Sequence, residues 1–131
     1  MLDGDGRRIV KRIAGALFVV AALTLSMMPA RAAANVVVAH PGAKETNSFA
    51  TPIVYLSKSA SARFVNADPL GHPGHDVVSH KTRSNGKPWF DSALIPFGVT
   101  EIRGLDTTPI GEYTFKCSAH PAMVGTARVV A

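Results

Sequence analysis

The sequence predicts an all-β domain, a sandwich or barrel of seven or eight short strands behind an N-terminal leader. Three observations predict it. Short runs rich in β-branched and aromatic residues recur along the chain after residue 32. Turn signals separate them at intervals of roughly 8–12 residues. No stretch beyond the leader carries convincing helical periodicity.

The strands follow in order. Asn35 to His40 is a β-branched run stopped by Pro41-Gly42. Residues 41–50 show no pattern and are expected to form a loop. Ile53 to Leu56 is a short apolar run opened by Pro52. In Ser61 to Asn66, Ala62, Phe64 and Asn66 alternate with Arg63 and Val65, which marks opposite faces of a strand that stops at Asp68-Pro69. His75 to His80 follows the turn Gly71-His72-Pro73-Gly74. The Ser84-Asn85-Gly86-Lys87-Pro88 turn leads to a weak strand or irregular link over Phe90 to Leu94. Val99 to Leu105, Glu112 to Cys117 and Val124 to Val130 complete the set, with Thr108-Pro109-Ile110-Gly111 turning between the first two.

Residues 1–32 read as a secretory signal peptide. Arg7, Arg8, Lys11 and Arg12 make a positive start, and the apolar stretch Ile13 to Ser26 has 14 residues. That is short of the about 20 needed to span a bilayer. Small residues around Ala30-Arg31-Ala32 offer a cleavage site, placed after Ala32, with Ala33 and Ala34 nearly equivalent. Arg7-Arg8 only partly matches a twin-arginine signal. The expected domain is 33–131, exported to a periplasm or beyond and without a membrane span. It holds about 99 residues, enough for one core.

The leader also carries most of the positive charge. Nine basic and seven acidic residues remain after residue 32, a net charge of +2. No segment concentrates them, so no nucleic-acid partner is expected.

The chain has one cysteine, Cys117, so no disulfide can form within it. A lone thiol in an exported protein needs protection. Cys117, His120 and Met123 follow one another as C-x-x-H-x-x-M. A thiolate, an imidazole and a thioether within seven residues are an unusual set. Soft sulfur selects copper, and one Cys with two His and a weak axial Met is the donor set of a blue-copper electron-transfer site. The second imidazole must come from elsewhere. His75 is the leading candidate, ahead of His72 in a Gly-Pro turn and His80 on the opposite strand face. His40, before Pro41, is expected to be solvated. Phe64 and Phe115 are assigned to the core, and Trp89 and Phe90 to the core or its rim. Pro121 is expected to stiffen the ligand loop, and Gly125 to let the chain turn into its last strand.

The segment Tyr113-Thr114-Phe115-Lys116-Cys117-Ser118-Ala119-His120-Pro121-Ala122-Met123-Val124-Gly125 resembles the ligand loop of the plastocyanin/amicyanin branch of the cupredoxins. The two residues between His120 and Met123 resemble amicyanin in particular. In that family the first ligand is a His followed by Asn and Val, and His75-Asp76-Val77 fits the place. Phe64-Val65-Asn66-Ala67-Asp68 resembles the strand leading to it. Phe90-Asp91-Ser92-Ala93-Leu94, before Pro96 and Gly98, resembles the stretch between the two ligand regions. The likeness covers residues 60–131 well; residues 35–59 match only in strand pattern.

The resemblance implies a Greek-key cupredoxin domain holding one type 1 copper ion on His75, Cys117, His120 and Met123. It also implies an electron carrier, expected to be monomeric, that docks transiently on redox partners. The docking site would be the His120 edge, ringed by Leu70, Pro73, Pro121 and Ala122. Two positions depart from the pattern. Asp76 stands where the family has Asn, and Ser118 where Thr is frequent. The two can still hydrogen-bond to each other, and the extra negative charge is expected to lower the reduction potential.

Two other function classes compete. A copper chaperone or store would use exchangeable sites rich in Met or His, yet Met123 is the only Met beyond the leader. A copper enzyme would need a second copper site, commonly built with His-Cys-His, whereas Lys116 and Ser118 flank Cys117. No enzymatic activity is expected.

Overall fold

The computed structural model describes residues 35–131. The expected leader and the first two residues of the expected domain lie outside them. The elements are β1 (Val36–Ala39), α1 (Ala43–Thr46), β2 (Ser48–Ser57), β3 (Ala62–Asn66), β4 (Val78–Ser79), β5 (Asp91–Ser92), β6 (Gly98–Arg103), a 3-10 turn (Leu105–Thr107), β7 (Gly111–Lys116) and β8 (Val124–Val130). All eight strands join one mixed sheet in the order β1-β3-β6-β5-β4-β7-β8-β2. The edge strands β1 and β2 lie against each other, so the sheet wraps into a nearly closed barrel. Asn35 fastens the seam: its Oδ1 accepts from the Ser57 N–H at 2.6 Å and its Nδ2 donates to the Ser57 carbonyl at 3.2 Å. The expected all-β cupredoxin-type architecture and strand number are therefore present.

Alternation explains the strands. Ala62, Phe64 and Asn66 of β3 are buried while Arg63 is exposed, as the sequence predicts. In β7, Tyr113 and Phe115 face inward, and Cys117 continues that face one residue past the strand. Phe49, Phe64 and Phe115 form the aromatic centre, with ring centroids 4.9 Å apart for Phe49–Phe115 and 6.5 Å for Phe49–Phe64. Phe90 packs edge-on to Tyr113 at 5.8 Å, and Trp89 lies at the core's rim. The Tyr113 hydroxyl donates to the Pro109 carbonyl at 2.8 Å, pinning the turn into β7.

Four expectations need correction. Residues 41–50 are not a loop: α1 makes one helical turn, capped by Asn47 in the left-handed region, and β2 begins at Ser48. β2 reads poorly because its middle, Ala50–Ile53, is exposed and lacks alternation. The run His75–His80 is strand only at Val78–Ser79; His75 instead makes an isolated bridge to Ile95. Gly125 sits within β8 opposite Phe115 rather than at a turn. A side chain there would strike the Phe115 ring, so the glycine provides room. His40 is half-buried and hydrogen-bonded, its Nε2 lying 3.2 Å from the Ser48 hydroxyl.

Pairing direction sets where the site lies. β1 runs parallel to β3 and β2 parallel to β8, while β4–β7, β5–β6 and β7–β8 are antiparallel. The chain therefore leaves β1, β3, β5 and β7 at the same end of the barrel where it enters β4, β6 and β8. Residues 40–44, 67–77, 93–97 and 117–123 gather there.

Candidate metal centre

The ligand loop is a tight link between antiparallel strands. The Met123 N–H donates to the His120 carbonyl at 2.9 Å, and the Cys117 N–H donates to the Met123 carbonyl at 3.0 Å. These bonds fold Cys117, His120 and Met123 back on one another. Cys117 and Met123 are fully buried, and His120 is half-buried.

His75 arrives from the other side of the barrel end. Its N–H donates to the Ile95 carbonyl at 3.1 Å and its carbonyl accepts from the Ile95 N–H at 3.0 Å. Gly74, in the left-handed region, passes so close to the Ile95 carbonyl that no side chain fits there. The fully buried His75 ring thus points at the ligand loop. Its Nδ1 lies 3.7 Å from the Cys117 sulfur, and the His120 Nδ1 lies 3.5 Å from the same sulfur. All three donor atoms fall within 4.8 Å of one another.

Those separations fit a single ion. Bonds of about 2.0 Å to nitrogen and about 2.3 Å to sulfur, as zinc makes them, set about 120° apart put the two donors about 3.7 Å from each other. Each imidazole also turns its Nδ1 inward, toward the Cys117 sulfur. His120 Nε2 donates to the His72 carbonyl at 3.1 Å, and His75 Nε2 lies 2.9 Å from an Asp68 carboxylate oxygen. A nitrogen that donates outward leaves its ring partner free to bind metal. Burial pushes the Cys117 thiol up, opposed by backbone hydrogen bonds. A metal ion replaces that proton when it binds.

Asp76 ties the two ligand segments together, as the resemblance implies. Its Oδ1 accepts from the Ser118 N–H at 2.6 Å and its Oδ2 from the Ser118 hydroxyl at 2.5 Å. His72 and His80 are exposed outside the donor cluster. Leu70, Pro73, Pro121 and Ala122 are exposed, as expected of a rim around His120. Leu94 and Phe97 add exposed apolar surface in the loop before β6.

Asp68 is the residue that sequence reading missed, since Asp68-Pro69 reads as a strand stop. Its carboxylate is buried and accepts from the N–H groups of Gly42, Lys44 and Leu70 as well as from His75. Burial opposes its ionisation. The His75 and backbone donors outweigh that and hold its pKa down to about 2.

No family model matches the chain, nor does any curated protein. Solved structures do. A purple cupredoxin from Nitrosopumilus maritimus is 20% identical, with 72% of this chain and 98% of that one covered and a TM-score of 0.52. A variant of amicyanin in its oxidised state is 18% identical, with 72% and 80% covered and a TM-score of 0.53. A copper-containing nitrite reductase from Thermus scotoductus is 26% identical, with a TM-score of 0.54; 73% of this chain matches 22% of the enzyme. The chain folds as a cupredoxin, and the donors gathered at one end of its barrel suit one type 1 copper ion.

Proposed function

We propose that this chain is an exported blue-copper protein that carries single electrons between larger redox partners, with His75, Cys117, His120 and Met123 as the ligands. The observation that carries the reading is the buried Cys117 sulfur flanked by two inward Nδ1 atoms at 3.5 and 3.7 Å. Copper in that place supplies the one-electron Cu(II)/Cu(I) couple. The protein's part is to hold the donors still, so that little rearranges when the charge changes. Three of the four proposed ligands sit on one hydrogen-bonded turn, and the fourth is clamped to Ile95.

Half-exposed His120 is the proposed exit for the electron. An apolar rim of Leu70, Pro73, Pro121 and Ala122 suits small, transient encounters. Among the described residues no helix is long and apolar enough to cross a membrane. The leader at 1–32 supports export, and the domain is proposed to run as a monomer over 33–131. A carrier needs no second copper site, and the donors form the one His/Cys/carboxylate group able to hold a metal among the described residues.

The optical spectrum of the copper-loaded protein tests the reading. An intense blue or violet band and a narrow copper hyperfine splitting are expected. His75→Ala should abolish the band and His72→Ala should keep it. A colourless protein that binds only Cu(I) would instead indicate copper trafficking.

A further inference from the structure

The two imidazoles of the cluster are held by different partners. His120 Nε2 donates to a neutral backbone carbonyl at the half-exposed rim. His75 Nε2 faces a carboxylate that is 1% exposed, at 2.9 Å, while the His75 side chain is 0% exposed. Little water reaches this pair. Gly71 roofs it so closely that a side chain at that position would collide with both His75 Nε2 and the Asp68 oxygen. Asp68 is itself fixed: its N–H donates to Asn66 Oδ1 at 2.9 Å, and the N–H groups of Gly42 and Lys44 hold its two oxygens at 3.2 and 3.1 Å. The carboxylate thus reaches His75 from just past the end of β3 while braced by the first turn of α1.

We propose that Asp68 is a positioning residue for the metal: its buried carboxylate holds His75 with the proton on Nε2 and Nδ1 bare toward Cys117, and makes that imidazole the stronger donor of the two. This rests on the reading of His75 as a ligand. An ionised carboxylate can only accept, so the proton between the two groups sits on Nε2. A carboxylate behind a metal-bound imidazole fixes its orientation and raises its basicity. Greater basicity stabilises Cu(II) over Cu(I), so Asp68 biases the site toward the oxidised state. The backbone donors make asparagine an incomplete substitute. Its amide must turn NH2 either toward Gly42 and Leu70 or toward Lys44 and His75, and the charge is lost either way.

Nitrogen-15 spectra of the metal-free wild-type protein, read at the histidine rings, test the tautomer without copper. The His75 ring should be protonated at Nε2; protonation at Nδ1 overturns the proposal. Copper-loaded Asp68→Asn should bind Cu(II) about 10-fold or more weakly and show a higher midpoint potential than wild type. A brace that merely held the loop would leave the potential where it is, so unchanged potential and affinity also overturn the proposal. Should the variant fail to fold, the wild-type tautomer decides alone. Failure of the copper reading would show separately, as a wild-type protein that binds copper without the blue or violet band.

Discussion

Cys117 is legible as a proposed ligand because its partners are its neighbours in sequence. His120 and Met123 lie three and six residues on, and the turn between β7 and β8 brings them back by two backbone hydrogen bonds. Asp76 is legible only by likeness, through the His-Asn-Val pattern it alters. Its carboxylate accepts two hydrogen bonds from Ser118, the residue after Cys117. A negative charge so close to the sulfur favours Cu(II). Asp76→Asn is therefore expected to raise the midpoint potential, measured by redox titration of the blue band; an unchanged value would remove Asp76 from the account of the potential. Asp68 is not legible at all. A carboxylate seven residues before a histidine has no periodic meaning, and only the fold of the loop between them creates the contact. The proposed ligand His75 is intermediate. Its neighbours Asp76 and Val77 mark it, while its two rivals in sequence, His72 and His80, lie exposed outside the donor cluster.

At the scale of elements, β-branched runs marked β1 and β8, and alternation predicted β3 and β7 well, because each has one buried and one more exposed face. It failed for β2, whose exposed middle carries no pattern, and overran β4, where His75 to Val77 are all buried and the pairing is interrupted. Gly125 shows how a correct residue can suggest the wrong reason. Glycine suggests a turn, but here it accepts the ring of Phe115 across the β7–β8 pair. Gly125→Ala should press on that ring and on the core behind it. A loss of about 1–3 kcal/mol is expected, read as a lower urea midpoint with an unchanged slope. Since Phe115 stands two residues before Cys117, the same variant should also perturb the blue band.

At the scale of the whole molecule, the site depends on the barrel end as a unit. Asp68 links the start of α1 to the His75 segment, so its ionisation contributes to the fold. Its pKa falls from 3.8 to about 2 on folding. A carboxyl with a lowered folded pKa stabilises above its unfolded value and loses that contribution as pH falls through the folded one. The metal-free protein should therefore lose roughly 2 kcal/mol between about pH 4 and 2. Denaturant unfolding at stepped pH measures this, and Asp68→Asn should flatten the dependence over that window. Closure matters equally, since the Asn35–Ser57 seam joins two strands that carry no mutual ladder.

What the sequence determined by itself is whatever chain neighbours encode: the all-β class, the core phenylalanines Phe64 and Phe115, and the Cys117–His120–Met123 loop. Spacing and alternation are local, and they survive as one-dimensional patterns. Tertiary structure decided the rest: the parallel β1–β3 and β2–β8 pairings, the place of His75, and the carboxylate behind it. These depend on segments that meet only after the barrel closes, and no interval along the chain records such a meeting.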